Sequence, residues 1–272
     1  MSSNDSQHAT AMEAMAERDG PVLRLTLNRP GKRNALSRSL AVTLRREIEA
    51  AGNDPDLRIV VLAGSGPSFC AGGDIAEFAR NVAMDAAEAD AHGLIDLLWA
   101  IVACSLPVVS RVHGAVFGGG VGLVCATDIA VAADTARFSL SEARLGLVPA
   151  VVGPYVLGAL GHREAKARML QASPIDAATA LRIGLVHEVA LEVDLDAAVE
   201  RVVDDLLKCA PGALATIKRL PGLVADAGSD RVADVTARLM AERITGDEGQ
   251  EGLNAFLEKR RAAWVVERPA HD

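Results

Sequence analysis

An α/β fold is the expectation for this 272-residue chain, and three features of the sequence predict it. Short apolar runs that read as strands alternate with longer segments of helical period, which implies crossover connections between neighbouring strands. Hydrophobic residues make up 50% of the chain and aromatic residues only 3%, so the core must be aliphatic and packed from small side chains. Finally, two glycine-rich stretches, "FCAGGDI" (69–75) and "FGGGVG" (117–122), each follow a run that reads as a strand and lead into one that reads as a helix.

In chain order, residues 1–15 lack the basic and then apolar pattern of a signal peptide and are expected to form a disordered N-terminus. "PVLRLTLN" (21–28) alternates and is bounded by Gly-Pro and Arg-Pro, the pattern of a strand. Ser37 is placed to cap a following helix, in which Leu36, Leu40, Leu44 and Ile48 recur down one face. "LRIVVLAGSG" (57–66) is a buried strand ending in a glycine turn, and Leu94, Ile95, Leu97, Leu98, Ile101 and Val102 mark a helix over 92–105. "PVVSRVHG" (107–114) and "DIAVAA" (128–133) are two more strands, with a small helix starting inside the glycines between them. From about residue 155 the pattern turns helical, and "SPIDAATALRIG" (173–184) reads as a capped helix with an early Pro and a terminating Gly. The division expected is a core over 16–200 and a helical region over 201–272, with no linker between them.

Composition excludes several functions. A formal net charge of -8 argues against nucleic acid as a partner. The longest apolar stretch, near 115–126, is shorter than the roughly 18 residues of a membrane span and is broken by glycine, so no membrane partner is expected. Cys70, Cys104, Cys125 and Cys209 are widely spaced, pointing to buried reduced thiols in a cytoplasmic protein rather than to zinc or disulfides. A P-loop, a GxGxxG and a metal-ligand cluster are all missing from the sequence, so no cofactor is expected.

What remains is backbone and one acid. A chain that bends into a helix at 117–122 exposes N–H groups suited to an oxyanion, although close packing explains glycines equally well. The turn at 69–75 could bring further N–H groups to the same place. Glu142 lies in "SLSE" (139–142), which fits a capping box with Ser139 as N-cap, yet a carboxylate held rigidly at a helix start also suits proton transfer. Asp74 reads as the cap of the helix beginning at Ile75, and His113 as a structural histidine.

These motifs together resemble the crotonase superfamily of enoyl-CoA hydratases and isomerases. The resemblance rests on "LNRPGKRNALS" (27–37), "FCAGGDI" (69–75), "VHGAVFGGGVGL" (112–123), "DIAVAADTARFSLSEARLGLVP" (128–149), "ASPIDAATALRIGLVHEV" (172–189) and "EGLNAFLEKR" (251–260). It implies a crotonase-like spiral of ββα units with a C-terminal helical trimerisation region, assembled as a homotrimer or hexamer. It further implies an acyl-CoA substrate whose thioester oxygen is held by the N–H groups of Ala71 and Gly119. Gly72, Gly73, Asp74, Ile75, Phe117 and Gly118 would surround that site, Lys32, Arg33 and Ala35 would line the CoA channel, and Phe256 and Lys259 would contact the nucleotide end. Glu142 matches one of two family glutamates, while the other falls on Gly122. That departure favours a Δ3,Δ2-enoyl-CoA isomerase, in which one base suffices, or a protein that binds without catalysis. "FSLSEARLGLVPAVVGPYVLGALG" (138–161), in contrast, is similar to the branch that hydrates branched glutaconyl-CoA thioesters, which implies hydration with Glu142 as acid and base.

Overall fold

The computed structural model describes residues 12–80 and 83–268. Of the N-terminal segment expected to be disordered, residues 1–11 lie outside the described residues, while Ala14 already belongs to strand β1 (Ala14–Asp19). This strand pairs antiparallel with β2 (Val22–Leu27), Ala14 opposite Leu27. Its sequence hides it because only Ala14 is buried along this edge strand, so no apolar alternation marks it.

Helix α1 (Arg38–Gly52) begins where Ser37 accepts a hydrogen bond from Leu40 N, and Leu40, Leu44 and Ile48 on its inner face are fully buried. Strand β3 (Ile59–Gly64) leads to the first glycine turn and to the one-turn helix α2 (Ile75–Phe78). Helix α3 (Met84–Ala103) starts eight residues earlier than its apolar pattern suggests, since its first turns carry polar and alanine positions. Strand β4 (Val108–Val112) is followed by the short β5 (Ala115–Phe117), then by α4 (Gly119–Ala126), which starts inside the triple glycine as expected.

Strands β6 (Ile129–Ala133) and β7 (Arg137–Ser139) precede α5 (Gly153–Gln171), which is interrupted at Gly161. Two further strands, β8 (Ile175–Asp176) and β9 (Glu188–Ala190), flank α6 (Ala177–Arg182), so the chain is not purely helical after 155. Pro174 lies before β8 rather than in the helix, and Asp176 is the cap, accepting from Thr179 N.

A six-stranded sheet runs β1-β2-β3-β4-β6-β9, parallel except for its first pair, and a three-stranded sheet runs β5-β7-β8. The large sheet is covered on both faces, which explains why its inner strands are continuous apolar runs. One core holds the side chains of α1, α3 and α4 against Leu25, Val60, Leu62 and Val112. The other packs α7 (Leu195–Leu207) against Val22, Ile59, Val61, Val109 and Val131. Helix α7 therefore crosses the expected boundary at 200, and Val203 and Leu207 belong to the sheet side.

Helices α8 (Pro211–Ala227), α9 (Val232–Thr245) and α10 (Asp247–Leu257) complete the chain. Lys218 of α8 reaches into the core, where its ammonium donates to Ile101 O at 2.9 Å, Leu106 O at 3.0 Å and an Asp128 carboxylate oxygen at 2.8 Å. All three protons of a buried cation are thus matched, which is the condition for burying it at all. Cys70 and Cys104 are buried as expected, but Cys209 is exposed and Cys125 only half-buried.

Lys218→Met is expected to lower stability by about 3 kcal/mol by removing the cation that pairs with Asp128, which keeps only the Val108 N–H among the described residues, and by leaving two carbonyls without a donor. Chemical denaturation would read this, and adding Asp128→Asn should recover part of the loss.

Candidate active site

Asn34 builds the first wall. It is fully buried in a left-handed conformation that asparagine tolerates, its Nδ2 donating to Ser65 O at 2.8 Å and Ser68 O at 2.7 Å while its Oδ1 accepts from Arg29 N at 2.8 Å. Residues 33–36 are thereby held beside the first glycine turn. Leu36 N donates to Gly72 O at 2.7 Å, Asp74 N to Leu36 O at 2.9 Å, and Ala71 N to Arg33 O at 2.9 Å. On its other side this turn pairs with β5, Cys70 N donating to Ala115 O at 3.2 Å and Phe117 N to Cys70 O at 2.9 Å.

These bonds correct one expectation. The Ala71 N–H is committed to Arg33 O and cannot also hold a thioester oxygen. The neighbouring pattern leaves a different donor: the bridge between Leu36 and Gly73 uses the carbonyl of Gly72 and the N–H of Asp74, so no backbone carbonyl among the described residues accepts from Gly73 N. Gly119 is the first residue of α4, where helix N–H groups have no intrahelical partner. A Cβ placed on Gly119 would lie 3.7 Å from Gly73 N, so the two turns do meet, as expected, with Gly73 rather than Ala71 beside Gly119.

Glycine is required here on two grounds. Gly118 has φ +48°, and a Cβ on Gly120 would stand 2.3 Å from Cys70 O, an impossible approach.

Glu142 completes the site. Gly118 N donates to Ser139 O at 2.9 Å, which brings the segment after β7 against the second glycine turn. The capping box does not form: Ser139 ends β7, its hydroxyl pointing to Ala172 O at 3.4 Å, and Glu142 opens a single 3-10 turn (Glu142–Leu145) instead. The carboxylate is therefore free to face Gly118, with Oε1 3.2 Å from the Cβ position of that glycine. Its Oε2 is buried without a hydrogen-bond partner among the described residues. Burial raises the carboxyl above its ordinary value.

Gly122 stands one turn into α4. A Cβ there would meet Val152 Cγ1 at 2.4 Å and Leu98 Cδ1 at 3.6 Å, so apolar side chains already fill the space a second carboxylate would need. Val152 has no motif of its own to announce this.

The other expected residues divide. Phe117 and Gly72 lie against each other, Phe117 O being 3.0 Å from the Cβ position of Gly72. Ile75 is half exposed at the start of α2. Asp74 is nearly buried, and although burial would raise its carboxyl, Arg29 at 3.0 Å and the N–H groups of α2 hold it below the usual carboxylate range. It is engaged as a cap and ion-pair partner, not as a ligand group. Lys32 and Arg33 are exposed at the rim beside half-buried Ala35. Phe256, 82% exposed, and Lys259 lie at the end of α10, and no hydrogen bond or ion pair among the described residues joins them to the glycine turns. His113 is structural as read: its Nε2 meets Gly66 O at 2.8 Å and its Nδ1 the Arg111 guanidinium at 3.2 Å.

Among the described residues no group of three or more His, Cys, Asp or Glu could hold a metal ion, and no helix is long and apolar enough to cross a membrane.

Two backbone donors close to a half-buried carboxylate are groups that can stabilise an enolate while a proton moves. Comparison with known proteins places the chain in a family. The chain is 37% identical over 246 residues to an enoyl-CoA hydratase of Alternaria alternata, ACTT6, covering 89% of this chain and 80% of that one. It is 33% identical to a crotonyl-CoA hydratase of Syntrophomonas wolfei, covering 92% and 96%. Among solved structures it superimposes on Pseudomonas aeruginosa AtuE with a TM-score of 0.89 and 38% identity, over 93% of this chain and all of that one (100%). Such neighbours carry the crotonase fold. Since the profile of the enoyl-CoA hydratase/isomerase family also matches residues 17–267, nearly all of the described chain, the protein belongs to that family.

Proposed function

We propose that the protein hydrates a 2-enoyl-CoA, with Glu142 as the proton-transferring group. One observation carries the reading: a carboxylate with an unpartnered, buried oxygen sits 3.2 Å from the Cβ position of Gly118, immediately before the N–H of Gly119. The thioester oxygen is held by the N–H groups of Gly73 and Gly119, which strengthens as negative charge grows on that oxygen. Glu142 takes a proton from water as the hydroxyl bonds to C3, and gives it to C2 as the enolate collapses. Water is thus added across the double bond, with Glu142 unchanged at the end. The names of the relatives from Alternaria and Syntrophomonas support hydration.

The packing of Val152 and Leu98 on Gly122 favours a second reading. With only one carboxylate at hand, Glu142 could remove a proton from C2 of a 3-enoyl-CoA and return it to C4, giving the 2-enoyl isomer. The two readings differ in whether a hydroxyl appears.

The same proposal includes a homotrimer or hexamer. An apolar groove of about 550 Å³ runs between α8, α9 and α10, bordered by Ile217, Met240 and Leu253, each half or more exposed in the single chain. In such an assembly Phe256 and Lys259 would approach the nucleotide end of a neighbour's substrate, beyond the rim formed by Lys32 and Arg33.

The absorbance of the conjugated thioester tests the function. Crotonyl-CoA should lose absorbance with the protein, and a rise from a 3-enoyl-CoA with no loss from crotonyl-CoA would establish the isomerase instead. Glu142→Gln should reduce turnover by roughly 10²–10⁴-fold.

Its stability should move the other way. The folded chain binds the Glu142 proton more tightly than the unfolded one, so this group favours folding in acid, and that contribution is lost as pH rises through the raised folded-state value. Above that raised value the half-buried charge weighs against folding, and there Glu142→Gln should melt no lower than the parent. The acid limb of kcat/KM should lie above 4.5, the ordinary value for glutamate.

Gly119 offers a paired test of the donors. Gly119→Pro removes the N–H at a first helical position, where proline is tolerated, and should lower kcat by roughly 10²–10³-fold. Gly119→Ala keeps the N–H and presses only on Leu36 Cδ1, 3.0 Å from the new methyl, so a much smaller loss in kcat is expected.

A further inference from the structure

Beside the two donors lies a cavity of about 630 Å³, within the size range of small-molecule sites. Leu36 and Phe78 join the two: Leu36 Cδ1 lies 3.0 Å from the Cβ position of Gly119, and the Phe78 ring 2.5 Å from that of Gly73. A thioester whose oxygen rests on those N–H groups has this cavity directly beside it for its acyl chain. The walls beyond are apolar, supplied by Ala91 and Leu94 of α3 and by Val148 and Val151 before α5. Met84 is 79% exposed and Val148 75%, an apolar surface left open to water in the unliganded chain.

The polar groups of the lining are already matched. Ser37 Oγ caps α1 and donates to Glu13. Arg38, the one cation among the described lining residues, gives its Nε to Asp90 at 2.7 Å, and its backbone N–H donates to Glu77 at 2.9 Å. The lining thus holds two carboxylates to one cation, Asp90 paired with the Arg38 guanidinium and Glu77 with a backbone N–H. An additional carboxylate on the acyl group would enter a rim that already carries two carboxylates to one cation, and that cation is paired with Asp90, which is unfavourable.

We infer that this pocket selects an uncharged aliphatic acyl chain of medium or greater length, and disfavours the carboxylated acyl groups of the glutaconyl type. The inference rests on the acyl-CoA reading of the site and specifies its substrate class. It also departs from the likeness of residues 138–161 to glutaconyl-CoA hydratases, because those residues lie on the Glu142 side and only Leu147, Val148 and Val151 reach the pocket, all three apolar.

Calorimetric binding of saturated thioesters tests this without turnover, using butyryl-CoA, decanoyl-CoA and glutaryl-CoA on the full chain. Burying methylenes at their usual value makes each added pair worth roughly tenfold, so decanoyl-CoA should bind at least ~30-fold more tightly than butyryl-CoA even with partial burial. Glutaryl-CoA should bind no more tightly than butyryl-CoA. Ala91→Phe, a half-buried wall position, should shrink the decanoyl-to-butyryl ratio, and Asp90→Asn, which releases Arg38, should raise the affinity for glutaryl-CoA at least severalfold. Equal affinity for the butyryl and decanoyl thioesters, or tighter binding of glutaryl-CoA by the parent protein, overturns the inference alone. Failure of all three thioesters to bind overturns it together with the acyl-CoA reading.

Discussion

The close contact between two stretches of bare backbone is the constraint on which the site depends. Residues 70–73 and 117–120 approach so nearly that Cys70 O occupies the place of a Cβ on Gly120. Ordinary side chains would separate the turns, and with them the N–H groups of Gly73 and Gly119. The isolated bridge between Cys70 and Val116 joins the first turn to β5, which itself pairs with β7, and so aligns the two turns before α4 begins. Rigid dipoles placed this way need no rearrangement as charge develops, the physical basis of oxyanion stabilisation.

Against this neutral frame stands one unneutralised acid. Most charged groups near the site are matched: Asp74 by Arg29 and the start of α2, Arg38 by Asp90. Farther away, Lys218 is satisfied at each of its three protons. Glu142, by contrast, has no ion pair among the described residues and one oxygen with no hydrogen bond. Burial without compensation makes it a stronger base than an exposed glutamate and weighs against the stability of the fold once it is charged. Val152 on Gly122 extends the apolar side of this environment and fills the space a second carboxylate would need.

The surroundings of the site follow from the same satisfaction of polar groups. Asn34 has no exposed surface and gives both amide protons to carbonyls of the loop after β3, so the segment carrying Lys32, Arg33, Ala35 and Leu36 is positioned by one side chain. Leu36 then serves the large core, the edge of the oxyanion site and the mouth of the acyl cavity together. The glycine turns and the neighbouring cavity thus share this residue.

By itself the sequence determined the α/β class, the strand β2 and its successor helix with Leu40, Leu44 and Ile48 inward, the buried β3, and the start of α4 within the glycines, because these are local consequences of hydrophobic period and turn chemistry. It also singled out the glycine turns and Glu142 as the chemistry-bearing features. Tertiary structure alone decided which N–H groups are free. Ala71 and Gly73 are two residues apart in one turn, and only the pairing with Arg33 and Leu36 commits the first and releases the second. The same holds for "SLSE", whose capping pattern is overridden when Ser139 is drawn into β7, and for Gly122, whose neighbour Val152 lies thirty residues away in sequence. Hydrogen-bond competition and steric exclusion depend on what long-range packing brings near, and local pattern carries no record of it.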